Sequence, residues 1–307
     1  MGNNASSSSS PTQKWQAKDK NVFITGASAG IGKQIATKFA AQGASLALVA
    51  RSKDRLNEVA EECRKLGAPV VEVFPCDLTN SENIKSATEQ ATASFKSFDV
   101  AFLNAGRSQG CYFEEIKDVS QMDYLLRLNV NGVLTTLHYL LKSIPKSGDS
   151  RIVVISSIAG RVGIPYRTLY CASKHALTGF ANALRMELLD TYGADNAPAV
   201  CLVNFPEVSG TDLNTNRMTM GADRPPAEFD GSAAVDVATA CDDLMSNIAA
   251  GTRESGLSST KTKLLVPLSG VIPTTTDSII MKHIKATHSR PDDKKEEEAA
   301  NVGDEEL

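Results

Sequence analysis

The chain has 307 residues, 42% hydrophobic and 22% charged, an ordinary globular composition that excludes a collagen-like or wholly disordered protein. Its formal net charge of −4 is uneven: Pro291 to Leu307 holds eight acids against two bases, so the rest of the chain is near +2, without the basic stripe that nucleic acid binding requires. No apolar run reaches the roughly 18 residues of a membrane span, and the first residues lack a secretory h-region. Cys63, Cys76, Cys111, Cys171, Cys201 and Cys241 are scattered without ligand spacing, so reduced thiols, a cytoplasmic location and no metal site are expected.

In chain order, residues 1–19 read as a polar, serine-rich disordered arm, residues 20–288 as one folded domain and residues 289–307 as a solvated acidic tail. Short apolar strands are predicted at Val22–Ile24, Leu46–Ala50, Val70–Phe74, Val100–Leu103, Ile152–Ile155, Val200–Asn204 and Lys263–Val266. Helical patterns separate them. In the first, Ile31, Ile35, Ala36, Phe39 and Ala40 share a face and Gly43 supplies the stop. Longer helical stretches cover 119–143 and 167–192. This alternation predicts an α/β fold: a doubly wound (Rossmann) seven-stranded parallel sheet with helices on both faces, whose ligands bind beyond the carboxyl ends of the strands.

The residues at those strand ends carry the chemistry. After the first strand, Gly26, Ser28, Ala29, Gly30, Ile31 and Gly32 lead directly into a helix. Glycines let a backbone approach a pyrophosphate, and a helix N-terminus favours its charge, although the same turn also serves as a plain tight corner. The second strand ends in Arg51, Ser52 and Lys53, where a protein preferring NAD would place an acid for the ribose hydroxyls. Arg51 with Ser52 suits a 2′-phosphate instead, which points to NADP(H). Ser156 and Ser157 follow the fifth strand. Thirteen residues beyond Ser157 lies Tyr170, alone among the six tyrosines in having a lysine, Lys174, four residues on. On a helix the two share a face.

With TGASAGIG at 25–32, Asp77-Leu78, Asn104-Ala105-Gly106, Asn129 within LNVNG, Ser157, Tyr170 and Lys174, the chain resembles the short-chain dehydrogenase/reductase family across about residues 20–270. The run ALVARSKDRL is most similar to NADP-using members that act on steroids and other lipophilic carbonyls. The resemblance implies hydride transfer between nicotinamide and a small-molecule carbonyl or secondary alcohol, in a homodimer formed through the two long helices. In it Tyr170 is the general acid/base, and Lys174 lowers the phenol's pKa and binds the nicotinamide ribose. Ser157 bonds the substrate oxygen and Asn129 holds a water leading to Lys174. Asp77, Leu78, Asn104, Ala105, Gly106, Pro206 and Thr211 join the glycine turn in binding the cofactor. Two positions depart from the family pattern: Leu103 stands where an asparagine is usual, and Glu207 follows Pro206 where glycine is usual. Ile158, Val162, Ile164 and Tyr166 form an apolar set suited to a hydrophobic substrate. The rivals are an NADP-binding scaffold without turnover and a nucleotide-sugar epimerase or dehydratase on a related fold. The second lacks support from an added C-terminal substrate domain.

Met1-Gly2-Asn3-Asn4-Ala5-Ser6 fits the N-myristoylation pattern, so weak membrane association through an acylated Gly2, thinly supplemented by Lys14, Lys18 and Lys20, is expected. Mass spectrometry of the N-terminus made in a eukaryotic host checks this. A myristoylated Gly2, partial membrane partitioning and a wholly soluble Gly2→Ala variant are the expected results; an unmodified or acetylated terminus contradicts them.

Overall fold

The computed structural model describes residues 15–223, 228–229, 234–256, 266–269 and 271–289. The proposed acyl site at Gly2 and the acidic tail beyond Ser289 lie outside these residues. Strands β1 (Asn21–Thr25), β2 (Ser45–Ala50), β3 (Val71–Pro75), β4 (Val100–Leu103), β5 (Arg151–Ser157) and β6 (Ala199–Phe205) are joined by a seventh, Glu254–Ser255. From one edge to the other the order is seventh strand, β6, β5, β4, β1, β2, β3, and every pairing is parallel. This is the Rossmann arrangement expected from the sequence. Chain order reverses beside β1, which lies between β2 and β4, and that reversal opens a crevice at the carboxyl edge.

The sheet is buried on both faces because side chains alternate along each strand. Val22 and Ile24 pack with Ile35, Phe39 and Leu56 under helices α1 (Gly30–Ala41) and α2 (Lys53–Lys65). Phe23 turns the other way, into a second core with Ile84, Leu137 and Leu184 under α3 (Ser81–Phe95), α5 (Gly132–Leu140) and α6 (Thr168–Tyr192). At roughly 25 cal/mol per Å² of apolar area, these two cores are the main source of stability. Leu103, at the position of the family's usual asparagine, is fully buried in the second core, so that site gives up a polar tie and gains packing.

Four features differ from expectation. Residues 15–19, placed in the flexible arm by composition, join the fold: Ala17 is fully buried, and the Trp15 indole donates to the Asp149 carbonyl at 2.9 Å beneath Arg151. The stretch 119–143 is not one helix. It divides into α4 (Val119–Leu126), a π-type segment over Arg127–Asn131 and α5, before a final 3₁₀ turn. Gly132 explains the close approach there, since a Cβ would lie 2.6 Å from the Leu78 carbonyl oxygen. β3 begins one residue late because Val70 is 44% exposed. Finally, the seventh strand is Glu254–Ser255. Of the predicted Lys263–Val266 only Val266 is described, and it opens a helical turn.

Candidate active site

The crevice at the strand reversal is a cleft of about 1270 Å³, above the usual 300–1,000 Å³ of a single small-molecule site. Gly26, Ser28, Ala29, Gly30 and Ile31 line one end. Gly26 and Gly30 have φ of +66° and +53°, values open to glycine without strain. Gly32 is set back from the cleft; a Cβ there would lie 2.2 Å from the Gly26 carbonyl oxygen, so the missing side chain lets α1 seat against the turn. The Ncap of α1, Ala29, makes no side-chain cap, and the first turn holds no acid. By contrast, α2 and α3 are capped by Ser52 and Asn80. The first amides of α1 are therefore left by their own helix for an anion.

Arg51 and Ser52 line the far wall of the same end, as expected from the sequence, together with Arg55. Arg51 is exposed and donates to the Tyr124 hydroxyl at 3.1 Å. Ser52 caps α2 by accepting from the Arg55 amide at 3.4 Å. Leu78 also lines the cleft, but Asp77 does not. Its carboxylate instead accepts from the Thr79 amide and hydroxyl at 2.9 and 2.8 Å, shaping the turn after β3.

Asn104, Ala105 and Gly106 form the floor. The Thr25 hydroxyl accepts from the amides of Asn104 and Ala105 at 2.9 and 3.2 Å, and the Asn104 side chain donates back to the Thr25 carbonyl at 3.2 Å. These bonds bind the ends of β1 and β4 at the reversal. Asn129 is fully buried behind the floor. It brackets Arg107, accepting from its amide at 2.8 Å and donating to its carbonyl at 2.9 Å, and it also donates to the Ser173 hydroxyl at 3.1 Å.

Ser157, Tyr170 and Lys174 meet in the middle of the cleft. β5 delivers Ser157, whose hydroxyl accepts from the Ala159 amide at 3.2 Å and donates to the Phe205 carbonyl at 3.3 Å. Tyr170 and Lys174 are one turn apart on α6, with the ammonium 5.6 Å from the ring centre. Lys174 is buried and donates to the Ile155 carbonyl at 2.8 Å. Burial brings its pKa down to about 8. The phenol's pKa, expected to be lowered, shifts the other way in the net. Tyr170 is held above its ordinary value because desolvation dominates, and the cation that acts against this is Arg167.

The outer half of the cleft was only partly legible. Pro206, Thr211, Ile158, Val162 and Ile164 line it as expected, and the Thr211 side chain lies over Gly30, 3.5 Å from where a Cβ would stand. Tyr166 is buried and packs with Ile164 and Ile280. Ile279 and Ile280, from the helix Pro273–Thr287, complete the apolar wall. Sequence reasoning missed that helix and also Gln109, a fully buried side chain that accepts from the Leu169 amide at 2.8 Å and so anchors the first turn of α6. It missed Arg167 as well, which is buried beside the cleft and bonded to Glu207 at 2.8 Å. Arg55 could have been found, since it lies four residues from Arg51 at a helix start.

Residues 20–213 match the family model for short chain dehydrogenase. The chain is 36% identical over 169 residues to the Arabidopsis thaliana protein 11-beta-hydroxysteroid dehydrogenase-like 4A, covering 55% of this chain and 56% of that protein. It is 38% identical over 175 residues to the Xenopus laevis hydroxysteroid 11-beta-dehydrogenase 1-like protein B, covering 57% and 60%. The match thus spans little more than half the length of these curated relatives. Among solved structures, the alcohol dehydrogenase of the archaeon Thermococcus sibiricus, complexed with 5-hydroxy-NADP, superposes with a TM-score of 0.61 at 25% identity, over 77% of this chain and 89% of that one. A short chain dehydrogenase/reductase from Burkholderia phymatum shares the fold at a TM-score of 0.71 and 21% identity, over 85% and 95%.

The buried ammonium has a measurable signature. Folded Lys174 releases its proton near pH 8, whereas an unfolded lysine keeps it to about 10.5. The penalty of burying the charge is thus fully present below pH 8 and is relieved as pH rises towards 10.5. Between about pH 7 and pH 9.5 the native protein should gain about 2 kcal/mol over Lys174→Met, read by urea unfolding of both. Parallel pH dependences would contradict the burial of a titrating ammonium.

Proposed function

Since the chain belongs to the short chain dehydrogenase family, we propose that it is an NADP(H)-dependent oxidoreductase interconverting a carbonyl and a secondary alcohol on a lipophilic small molecule. The observation that carries this reading is the meeting of Ser157, Tyr170 and Lys174 in the cleft whose other end holds an uncapped helix N-terminus and two arginines. The residues fit the cofactor. The glycine turn and the first amides of α1 suit a pyrophosphate, Arg51 and Arg55 a 2′-phosphate, and the floor at Asn104 to Gly106 a nicotinamide ribose near Lys174. Thr211 and Pro206 would close over it. When bound, such a cofactor supplies or accepts a hydride at the carbon under reduction or oxidation.

The chain's own groups handle the proton. A carbonyl oxygen seated between the Ser157 and Tyr170 hydroxyls would receive two hydrogen bonds, which favour negative charge developing on that oxygen. With its pKa raised by burial, Tyr170 is protonated at neutral pH, the state needed to donate to that oxygen. Lys174, anchored on the Ile155 carbonyl, carries a charge at neutral pH that stabilises the phenolate left behind. Asn129 supports the arrangement by fixing Arg107 and the turn after β4. The apolar wall of Val162, Ile164, Ile279 and Ile280 supports a lipophilic substrate. The names of the hydroxysteroid dehydrogenase-like relatives agree with that class. A binding scaffold without turnover does not account for two hydroxyls and a buried ammonium brought together beside the cofactor end.

Tyr170→Phe removes the proton donor and little contact area, so turnover over a panel of steroid, retinal and ketolipid carbonyls should vanish while NADPH binding stays nearly intact. Retention of more than about a tenth of the activity, a loss of only ~1.4 kcal/mol in transition-state stabilisation, contradicts the assignment.

Cofactor choice gives a second test. A hydrogen bond to a charged group contributes about 1.5–3 kcal/mol, so Arg51→Ala should weaken NADPH by roughly 10- to 150-fold and leave NADH nearly unchanged. Arg55 on the same wall moves the loss towards the lower figure. Titration of both proteins with both cofactors decides the matter, and tighter NADH than NADPH binding by the native protein overturns the NADP assignment.

A further inference from the structure

Arg107 is the first residue beyond the cleft floor, and the fold fixes it from two sides. Its amide donates to Asn129 Oδ1 at 2.8 Å and its carbonyl accepts from Asn129 Nδ2 at 2.9 Å, so a fully buried side chain holds the backbone there. The half-buried Arg107 side chain lines the cleft, and Nη2 donates to the Asn216 carbonyl at 3.0 Å. Asn216 lines the cleft too, and backbone bonds fasten the segment that follows it to the one that follows Arg107. The Met218 amide donates to the Ser108 carbonyl at 2.9 Å, and the Gly110 amide donates to the Met218 carbonyl at 3.0 Å. Both ends of the Arg107–Asn216 contact are thus held in place by the protein itself.

The charge of this guanidinium is not balanced. Arg167 and Arg217 share the Glu207 carboxylate at 2.8 and 3.3 Å. Among the described residues Arg107 has no carboxylate within ion-pair distance, and its side chain bonds only the Asn216 carbonyl, which leaves most of its N–H donors unused. A cation partly withdrawn from water with no counter-ion lowers stability, and an anionic ligand relieves that cost. The cofactor's phosphates have their own partners in the glycine turn, Arg51 and Arg55 at one end of the cleft. Arg107 instead follows Gly106, where a Cβ would stand 3.7 Å from Lys174 Nζ, so its backbone lies beside the proposed reaction centre. We propose that Arg107 determines specificity by binding a carboxylate on the substrate, and that the preferred substrates are keto acids or hydroxy acids with an apolar body. A carboxylate matches the guanidinium in charge and in fork geometry, while the wall of Val162, Ile164, Ile279 and Ile280 takes the apolar body. The ketone end of this substrate rests on the proposed function; the carboxylate end does not.

A series of aliphatic keto acids of increasing chain length, each paired with its methyl ester, separates charge from shape. The native protein should favour the acid over the ester in kcat/KM by roughly tenfold or more at one or more chain lengths, the lower end of what a hydrogen bond to a charged group contributes. Arg107→Met keeps the length of the side chain and should bring that ratio to within about threefold of unity, with Arg107→Lys between the two. NADPH affinity should stay within about threefold of native in both variants, because no phosphate is assigned to Arg107. The inference is overturned if the native protein does not distinguish acid from ester at any length, if Arg107→Met keeps the native ratio, or if Arg107→Met weakens NADPH by more than about tenfold, which would give Arg107 to the cofactor. Any of these with turnover present leaves the proposed function standing. If no keto acid or ester is turned over, calorimetric titration of the NADP-loaded protein with the same acids and esters decides. Tighter binding of an acid that Arg107→Met abolishes upholds the carboxylate site while the function falls, and equal or absent binding overturns the site as well.

Discussion

Reversal of strand order beside β1 is the constraint on which the site depends. Because β1 pairs with β2 on one side and β4 on the other, the segments leaving their carboxyl ends diverge and cannot cover the sheet edge between them. The Thr25 hydroxyl fastens that edge to Asn104 and Ala105, which keeps the floor flat and close to the glycine turn. Every candidate site residue is placed relative to this crevice. The glycine turn and α1 N-terminus form one end, β5 and α6 bring Ser157, Tyr170 and Lys174 to the middle, and the segment after β6 bends back to bring Thr211 over Gly30.

The second feature is the amount of charge that the fold keeps from water. An ammonium, two guanidinium groups and a carboxylate lie within or beside the cleft, and each is secured by specific bonds: Lys174 to the Ile155 carbonyl, Arg167 and Arg217 to Glu207. Buried charge lowers stability unless it is paired, and even then the pair is rarely a net gain over an apolar core. Two apolar cores on either side of a doubly covered sheet supply the stability that tolerates this arrangement. Desolvation strengthens the interactions among these charges, because water would otherwise screen them.

The fold was legible because parallel strands buried on both faces are short apolar runs, and six of seven were placed within one or two residues. The seventh failed for a physical reason: Glu254–Ser255 is two polar residues held by pairing with Leu202 and Val203, which leaves no hydrophobic signal. Ser157, Tyr170 and Lys174 were legible because one helical turn and one strand end fix their spacing. Gln109, Arg167 and Arg217 were not. Gln109 and Arg217 lie in connections without periodicity, Arg167 only opens a helical stretch, and their partners, Leu169 and Glu207, are defined only once the chain has folded. Trp15 and Ala17 were hidden in another way, since a polar, serine-rich neighbourhood masked two residues that dock on the domain.

The central claim is that this cleft performs hydride transfer with proton donation by its own buried groups. The most direct measurement uses NADPH carrying deuterium at the transferable nicotinamide position, incubated with the protein and a panel of lipophilic ketones, with the products analysed by mass spectrometry. The account predicts one deuterium on the new carbinol carbon of at least one ketone, formed in step with oxidation of the cofactor. Tight NADPH binding with no label transferred to any member of the panel would contradict it and leave the protein a nucleotide-binding scaffold.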